Sequence, residues 1–107
     1  TCALPISAIV LLESAAAVAR IEARAPTAAQ KAVEAFFNTI QAQTIAIDAK
    51  VGAAAFEAFA TYGMGNHPAA LNMGDCFTYA CAKVYRLPVL FKDDGFQKTD
   101  LTNALDV

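Results

Sequence analysis

The chain has 107 residues, 57% of them hydrophobic, and a formal net charge of −2. That length allows one domain with a modest core, and the apolar fraction, much of it alanine, excludes disorder and argues for a helix-rich globule. A charge so close to neutral excludes a global basic field, so contact with nucleic acid has to be local and an anionic membrane is not expected. The three cysteines, Cys2, Cys76 and Cys81, do not suggest a disulfide framework. Cys76 and Cys81 fall five apart on one predicted helix, where their Cβ vectors diverge. They read as small buried apolar residues of a reducing, cytoplasmic compartment. His67 is the only histidine and no Cys-x-x-Cys occurs, so no zinc site is expected.

Cys2 to Ala19 is almost wholly apolar. A secreted protein cleaved after Ala19 is one reading, but the run lacks a basic start and is broken by Pro5 and Glu13. It is also too short and too acidic for a membrane span. The first six residues, Thr1-Cys2-Ala3-Leu4-Pro5-Ile6, resemble the conceptual translation of a short-read sequencing adapter. That resemblance places the authentic beginning near Ser7 and the domain at 7–107.

From Ser7 to about Arg24 the residues predict a helix rich in alanine and leucine, with arginines at its end where cations suit the dipole. Glu13 is the sole charge between Ser7 and Ala19; it faces solvent, a partner or a polar pocket, because unpaired burial is costly. Ala25-Pro26 breaks this helix, and Thr27-Ala28-Ala29-Gln30 has the pattern of a capping box that starts the next. Val33, Phe36, Phe37 and Ile40 then form one core-facing stripe. Thr44 to Ile47 predicts a short buried strand. Asp48 caps a third helix, on which Ala55, Phe59 and Tyr62 share a face. Gly63-Met64-Gly65-Asn66-His67-Pro68 is a loop. His67 either holds that loop or meets a ligand.

Asn72 is a good N-cap, and Asp75, three residues on, sits in a first helical turn whose amides and dipole favour a carboxylate. Phe77, Ala80, Cys81 and Val84 give that helix an apolar face. Pro88 introduces a second strand, Val89-Leu90-Phe91, followed by Asp93, Asp94 and Asp100. Ligand sites in open parallel sheets lie beyond the carboxyl ends of strands, so these acids are either a solvated turn or part of a site. Helices alternating with short strands argue for an α/β fold with a parallel sheet. Glu13, Asp75 and the late acids are oxygen donors suited to a hard divalent cation, although their spacing does not say that they meet.

The segment Tyr62-Gly63-Met64-Gly65-Asn66-His67-Pro68-Ala69-Ala70-Leu71-Asn72-Met73-Gly74-Asp75-Cys76-Phe77 resembles the late part of PIN-domain ribonucleases of the VapC toxin type. Their pattern runs roughly Tyr-Gly-Lys-Gly-Arg-His-Pro-Ala-x-Leu-Asn-aromatic-Gly-Asp-Cys-Phe. Tyr79-Ala80, Ala82-Lys83, Pro88 to Lys92 and Phe96 to Asp100 continue the likeness. Ser7 to Glu13 resembles the family's early helix, where the glutamate is an active-site acid. The resemblance implies a PIN-like three-layer α/β/α domain and a Mg²⁺-dependent endoribonuclease, with Mn²⁺ as the alternative ion. It further implies a homodimeric bacterial toxin, cytoplasmic, acting on RNA and inhibited by a cognate antitoxin. By position, Glu13, Asp75 and Asp94 match catalytic metal-site acids and Asp100 a fourth metal acid, while Asn72 and His67 support the loop and helix start.

Three departures qualify the likeness. The family's first metal aspartate lies on a central N-terminal strand, in an Asp-x-Ser-Ala motif, and no such segment is present. Met64 and Asn66 stand where the pattern has lysine and arginine, which removes positive charge that would meet phosphates. Lys92-Asp93-Asp94-Gly95-Phe96 differs from Lys-Gly-Asp-Asp-Phe, so Asp93 is the alternative to Asp94. The expectation is therefore a partial PIN domain that is inactive or nearly so, or else a non-catalytic module that docks an antitoxin-type peptide.

Overall fold

The computed structural model describes residues 4–88, 94–101 and 103. The described elements, in order, are β1 (Leu4–Ser7), α1 (Ala8–Ile21), α2 (Pro26–Thr39), β2 (Ala42–Ile45), α3 (Ala49–Tyr62), α4 (Met73–Tyr85) and the single turn α5 (Asp94–Gln97). They fall into two compact units, Thr1–Ala46 and Ile47–Val107. The architecture is mostly helical with a short parallel sheet, an α/β fold. Among the described residues no helix is long and apolar enough to cross a membrane.

In the first unit β1 and β2 pair in parallel, in the register Leu4↔Ala42, Pro5↔Gln43, Ile6↔Thr44 and Ser7↔Ile45. Parallel neighbours need a long crossover, and α1 and α2 supply it. Ser7 ends the strand and starts the helix. Its backbone is still extended at φ −74°, ψ 155°, and its hydroxyl accepts the Ile9 N–H at 3.3 Å. The α1–α2 turn uses Ala23 in the left-handed region at φ 52°. Ala15, Ala29 and Val33 are buried, small enough to let the two helices approach closely.

Four details differ from the sequence reading. Strand β1 precedes the first element expected at Ser7. Helix α2 begins at Pro26, with Ala25 at the N-cap and no side-chain capping bond, so Thr27 does not form the capping box. Proline suits the first helical position because its missing N–H would have no partner there. Phe36 is 58% exposed and lies off the buried stripe of Ala29 and Val33. Finally, β2 lies two residues earlier than predicted, because β1 turns into α1 at Ala8 and offers no partner beyond Ile45.

In the second unit α3 and α4 pack through Val51, Ala55, Ala58, Cys76, Ala80, Cys81 and Ala82, all buried. Asp48 caps α3 as expected, its carboxylate accepting the Val51 N–H at 3.0 Å. The loop after α3 is pinned at both ends. Leu71 donates its N–H to the Tyr62 carbonyl at 3.0 Å and accepts that of Met64 at 3.1 Å, and its side chain is fully buried. Gly63 is required by proximity, since a Cβ there would lie 2.3 Å from the Phe59 carbonyl oxygen. Phe96 on α5 is buried. The expected strand Val89 to Phe91 and the alternative acid Asp93 lie outside the described residues.

Candidate active site

Helix α4 begins with a complete capping box. The Asn72 side-chain oxygen accepts the Asp75 N–H at 2.8 Å, and the Asp75 carboxylate accepts the Asn72 N–H at 3.1 Å. Asn72 can do this because its backbone is extended, at φ −84° and ψ −177°. The reciprocal bonds fix the half-buried Asp75 carboxylate at the positive end of the helix dipole. Its charge is felt next door: burial, then repulsion from Asp75, raises the Cys76 thiol above its ordinary range. Cys76 and Cys81 are both buried and unbridged. Burial, followed by the charge of Asp48, raises Cys81 in the same way.

His67 holds the loop. Its Nδ1 accepts the Ala69 N–H at 3.0 Å, and its ring meets Tyr62 edge-on at 4.9 Å between centroids. The neutral tautomer with the proton on Nε2 fits that bond. Tyr62 in turn packs on Tyr79, with centroids 5.3 Å apart. Asp75, Tyr79 and Lys83 are spaced i, i+4 and i+8, so they run along one side of α4.

Asp100 joins that side. The Tyr79 hydroxyl donates to its Oδ1 and the Lys83 ammonium to its Oδ2, each at 2.6 Å. Lys83 also lies 5.8 Å from the Tyr79 ring centroid. The bond from Lys83, then that from Tyr79, holds the Asp100 carboxyl below the usual carboxylate range. Burial, then the hydrogen bond it donates to Asp100, pushes the Tyr79 phenol well above its ordinary value. Sequence reasoning missed Tyr79 and Lys83 as partners of Asp100. Their four-residue spacing on α4 is visible, but nothing local marks an acid 17 and 21 residues away.

Glu13 sits exposed in the middle of α1, in the first unit. Asp94 opens α5 in the second. Among the described residues no three His, Cys, Asp or Glu side chains gather as a metal site. The donors fit a hard divalent cation in kind, since they are carboxylates, and Asp75 is held with its orientation preset. At the two positions where the family pattern has lysine and arginine, Met64 is 61% exposed and the Asn66 amide donates to the Phe59 carbonyl at 3.3 Å. A cleft of about 690 Å³ between α1 and α2 is lined by Leu11, Leu12, Ala15 and Ala19 and contains no acid.

Residues 3–101 match the family model described as the PIN domain. The chain is 43% identical over 74 residues to a VapC ribonuclease of Rhizobium meliloti strain 1021, an alignment that covers 68% of this chain and 52% of that protein. It is 40% identical over 84 residues to a VapC ribonuclease of Mycobacterium bovis, covering 78% and 64% respectively. A ribonuclease VapC of Mycolicibacterium smegmatis is 40% identical over 81 residues, covering 76% and 63%. The chain thus spans between about half and just under two thirds of the length of these relatives.

Proposed function

The chain belongs to the PIN-domain family, in its VapC type, and on that premise we propose that it is a toxin ribonuclease that hydrolyses RNA phosphodiester bonds with a divalent cation, Mg²⁺ or Mn²⁺. The observation that supports this best is Asp75, a carboxylate fixed by the capping box at the mouth of α4, within the segment most like the family pattern. By their match to the family pattern, Asp94 and Glu13 are proposed as further metal-site acids. When bound, the ion supplies an activated water for attack on phosphorus and a counter-charge for the departing oxygen.

The chain's own residues have separate tasks. Asp75 presents a carboxylate already oriented by the Asn72 N–H, so little is lost in ordering it when a cation arrives. Asn72 keeps α4 from fraying beneath that acid. His67, through Ala69 and Tyr62, holds the loop that leads into it. We further propose an antitoxin and a second copy of the chain as partners.

The chain itself is proposed to be a poor enzyme, because exposed Met64 and inward-bonded Asn66 bring no positive charge to RNA phosphates. The same observation favours the second reading, a PIN-like module that docks an antitoxin-type peptide without catalysis.

Calorimetric titration with Mg²⁺, beside incubation with labelled single-stranded RNA, separates the two. The ribonuclease reading expects metal binding that Asp75→Asn removes, with slow cleavage at most. Metal binding indifferent to Asp75→Asn would overturn that reading, and no binding at all would favour the docking module. Light scattering of the purified chain checks the dimer, and a monomer at all concentrations would remove it.

A further inference from the structure

The segment from α5 to Leu101 is tied back on itself and then onto α4. Phe96 is buried. Lys98 donates its N–H to the Gly95 carbonyl at 3.1 Å and Thr99 to that of Phe96 at 3.0 Å. The Thr99 hydroxyl donates to the same Phe96 carbonyl at 2.6 Å and accepts the Leu101 N–H at 3.2 Å. This closed turn delivers Asp100 to the side of α4, where Tyr79 and Lys83 each take one of its oxygens.

We infer that Asp100 is a positioning residue and not a metal ligand: it fastens the C-terminal segment, and with it the helix that Asp94 opens, to the helix that carries Asp75. The inference rests on the metal-site reading of Asp75 and Asp94 proposed above.

Three observations support it. Both oxygens of Asp100 accept short bonds, one of them from a cation. A metal ion approaching this carboxylate would meet the Lys83 ammonium at the same atom, and like charges so close repel. Tyr79 is itself buttressed by Tyr62, whose ring is set by His67. The donor side of the latch is therefore anchored to the same loop that leads into Asp75.

The test uses the whole chain with Asp100→Asn, Lys83→Met, Tyr79→Phe and Asp100→Glu. Trypsin can cut after Lys98, inside the closed turn. The latch predicts that Asp100→Asn and Lys83→Met each speed that cut several-fold, and that Asp100→Glu partly restores protection. A rate unchanged in both would overturn it. The absorbance titration of the tyrosines gives a second signature. The Tyr79 phenol, raised by burial and by the bond it donates to Asp100, should be missing from the titration of Tyr79→Phe and move down in Asp100→Asn. If none moves in Asp100→Asn, the bond to Asp100 does not exist in solution.

Mg²⁺ calorimetry then separates latch from ligand by sign. A latch weakens metal binding similarly in Asp100→Asn and Lys83→Met, by less than tenfold, with the double variant no worse than either. A ligand loses binding in Asp100→Asn as fully as in Asp75→Asn, whereas Lys83→Met frees the carboxylate and tightens binding; that result overturns the inference. If the unsubstituted chain binds no Mg²⁺, the proposed function fails, while the trypsin and absorbance results still decide the latch.

Discussion

Asp75 has two duties, capping α4 and presenting charge, and substitution can divide them. Asn72→Ala deletes the oxygen that accepts the Asp75 N–H at 2.8 Å. Loss of an N-cap of this kind costs about 1 kcal/mol. Asp75→Asn instead keeps a side-chain oxygen able to accept the Asn72 N–H, which now sits at 3.1 Å, and removes the charge. A carboxylate at a helix N-terminus is worth about 0.3–1 kcal/mol, so the cost lies below that of the lost cap. Helix α4 carries the buried Cys76, Ala80, Cys81 and Ala82, so fraying at its start is felt by the core of its unit. For a domain of this size 1 kcal/mol shifts Tm by about 4–8 °C. Thermal melts followed by circular dichroism at low ionic strength should place Asn72→Ala about 4–8 °C below the unsubstituted chain, with Asp75→Asn between them. An Asp75→Asn variant that melts below Asn72→Ala would refute the division, because the carboxylate would then be doing more for the fold than capping explains.

Other outcomes follow from the same structure. Leu71 is fully buried where the loop enters α4, so Leu71→Ala should cost about 2–5 kcal/mol in denaturant titration; a loss under 1 kcal/mol would mean the site collapses freely. Gly63→Ala places a methyl 2.3 Å from a backbone oxygen that cannot swing aside, and the same titration should show a loss of about 1–3 kcal/mol or more. Burial raises both the Cys76 and Cys81 thiols; with Cys2 replaced by serine, alkylation at neutral pH detected by mass spectrometry should be slow until denaturant is added. Asp100 has a lowered carboxyl pKa, so its contribution is present above the ordinary aspartate value and fades as pH falls through the lowered one. Stability measured across that acid window should fall less steeply in Asp100→Asn than in the unsubstituted chain.

Much of this could be read from the residues, and the reasons are local. Ser7, Asp48 and Asn72 each start a helix where expected, because a short side-chain oxygen beside an extended backbone meets the free amides of the next turn. The capping box of Asn72 and Asp75 needs no partner from afar, so a three-residue spacing was enough to find it. Thr27 misled for a related reason: its spacing to Gln30 fits a capping box, yet Pro26 already satisfies the requirement for helix entry. The register of β2 was not legible, since it depends on where β1 stops rather than on the β-branched run at Thr44 to Ile47. Phe36 looked like core because its spacing places it on the stripe; how wide a face is covered is decided by the packing partner, not by the helix. The tie from Asp100 to Tyr79 and Lys83 spans a turn, a segment and a helix, and charges that far apart in sequence carry no mark of one another.

Where a cation sits decides most directly whether Asp75 is a metal-binding acid. Mn²⁺ broadens the amide resonances nearest to it, so a substoichiometric titration followed by two-dimensional NMR reads its position. Broadening should begin at the start of α4, on the amides of Asn72, Asp75 and Cys76, and Asp75→Asn should abolish it while the rest of the spectrum is unchanged. Broadening centred elsewhere, or persisting around α4 in Asp75→Asn, would contradict it.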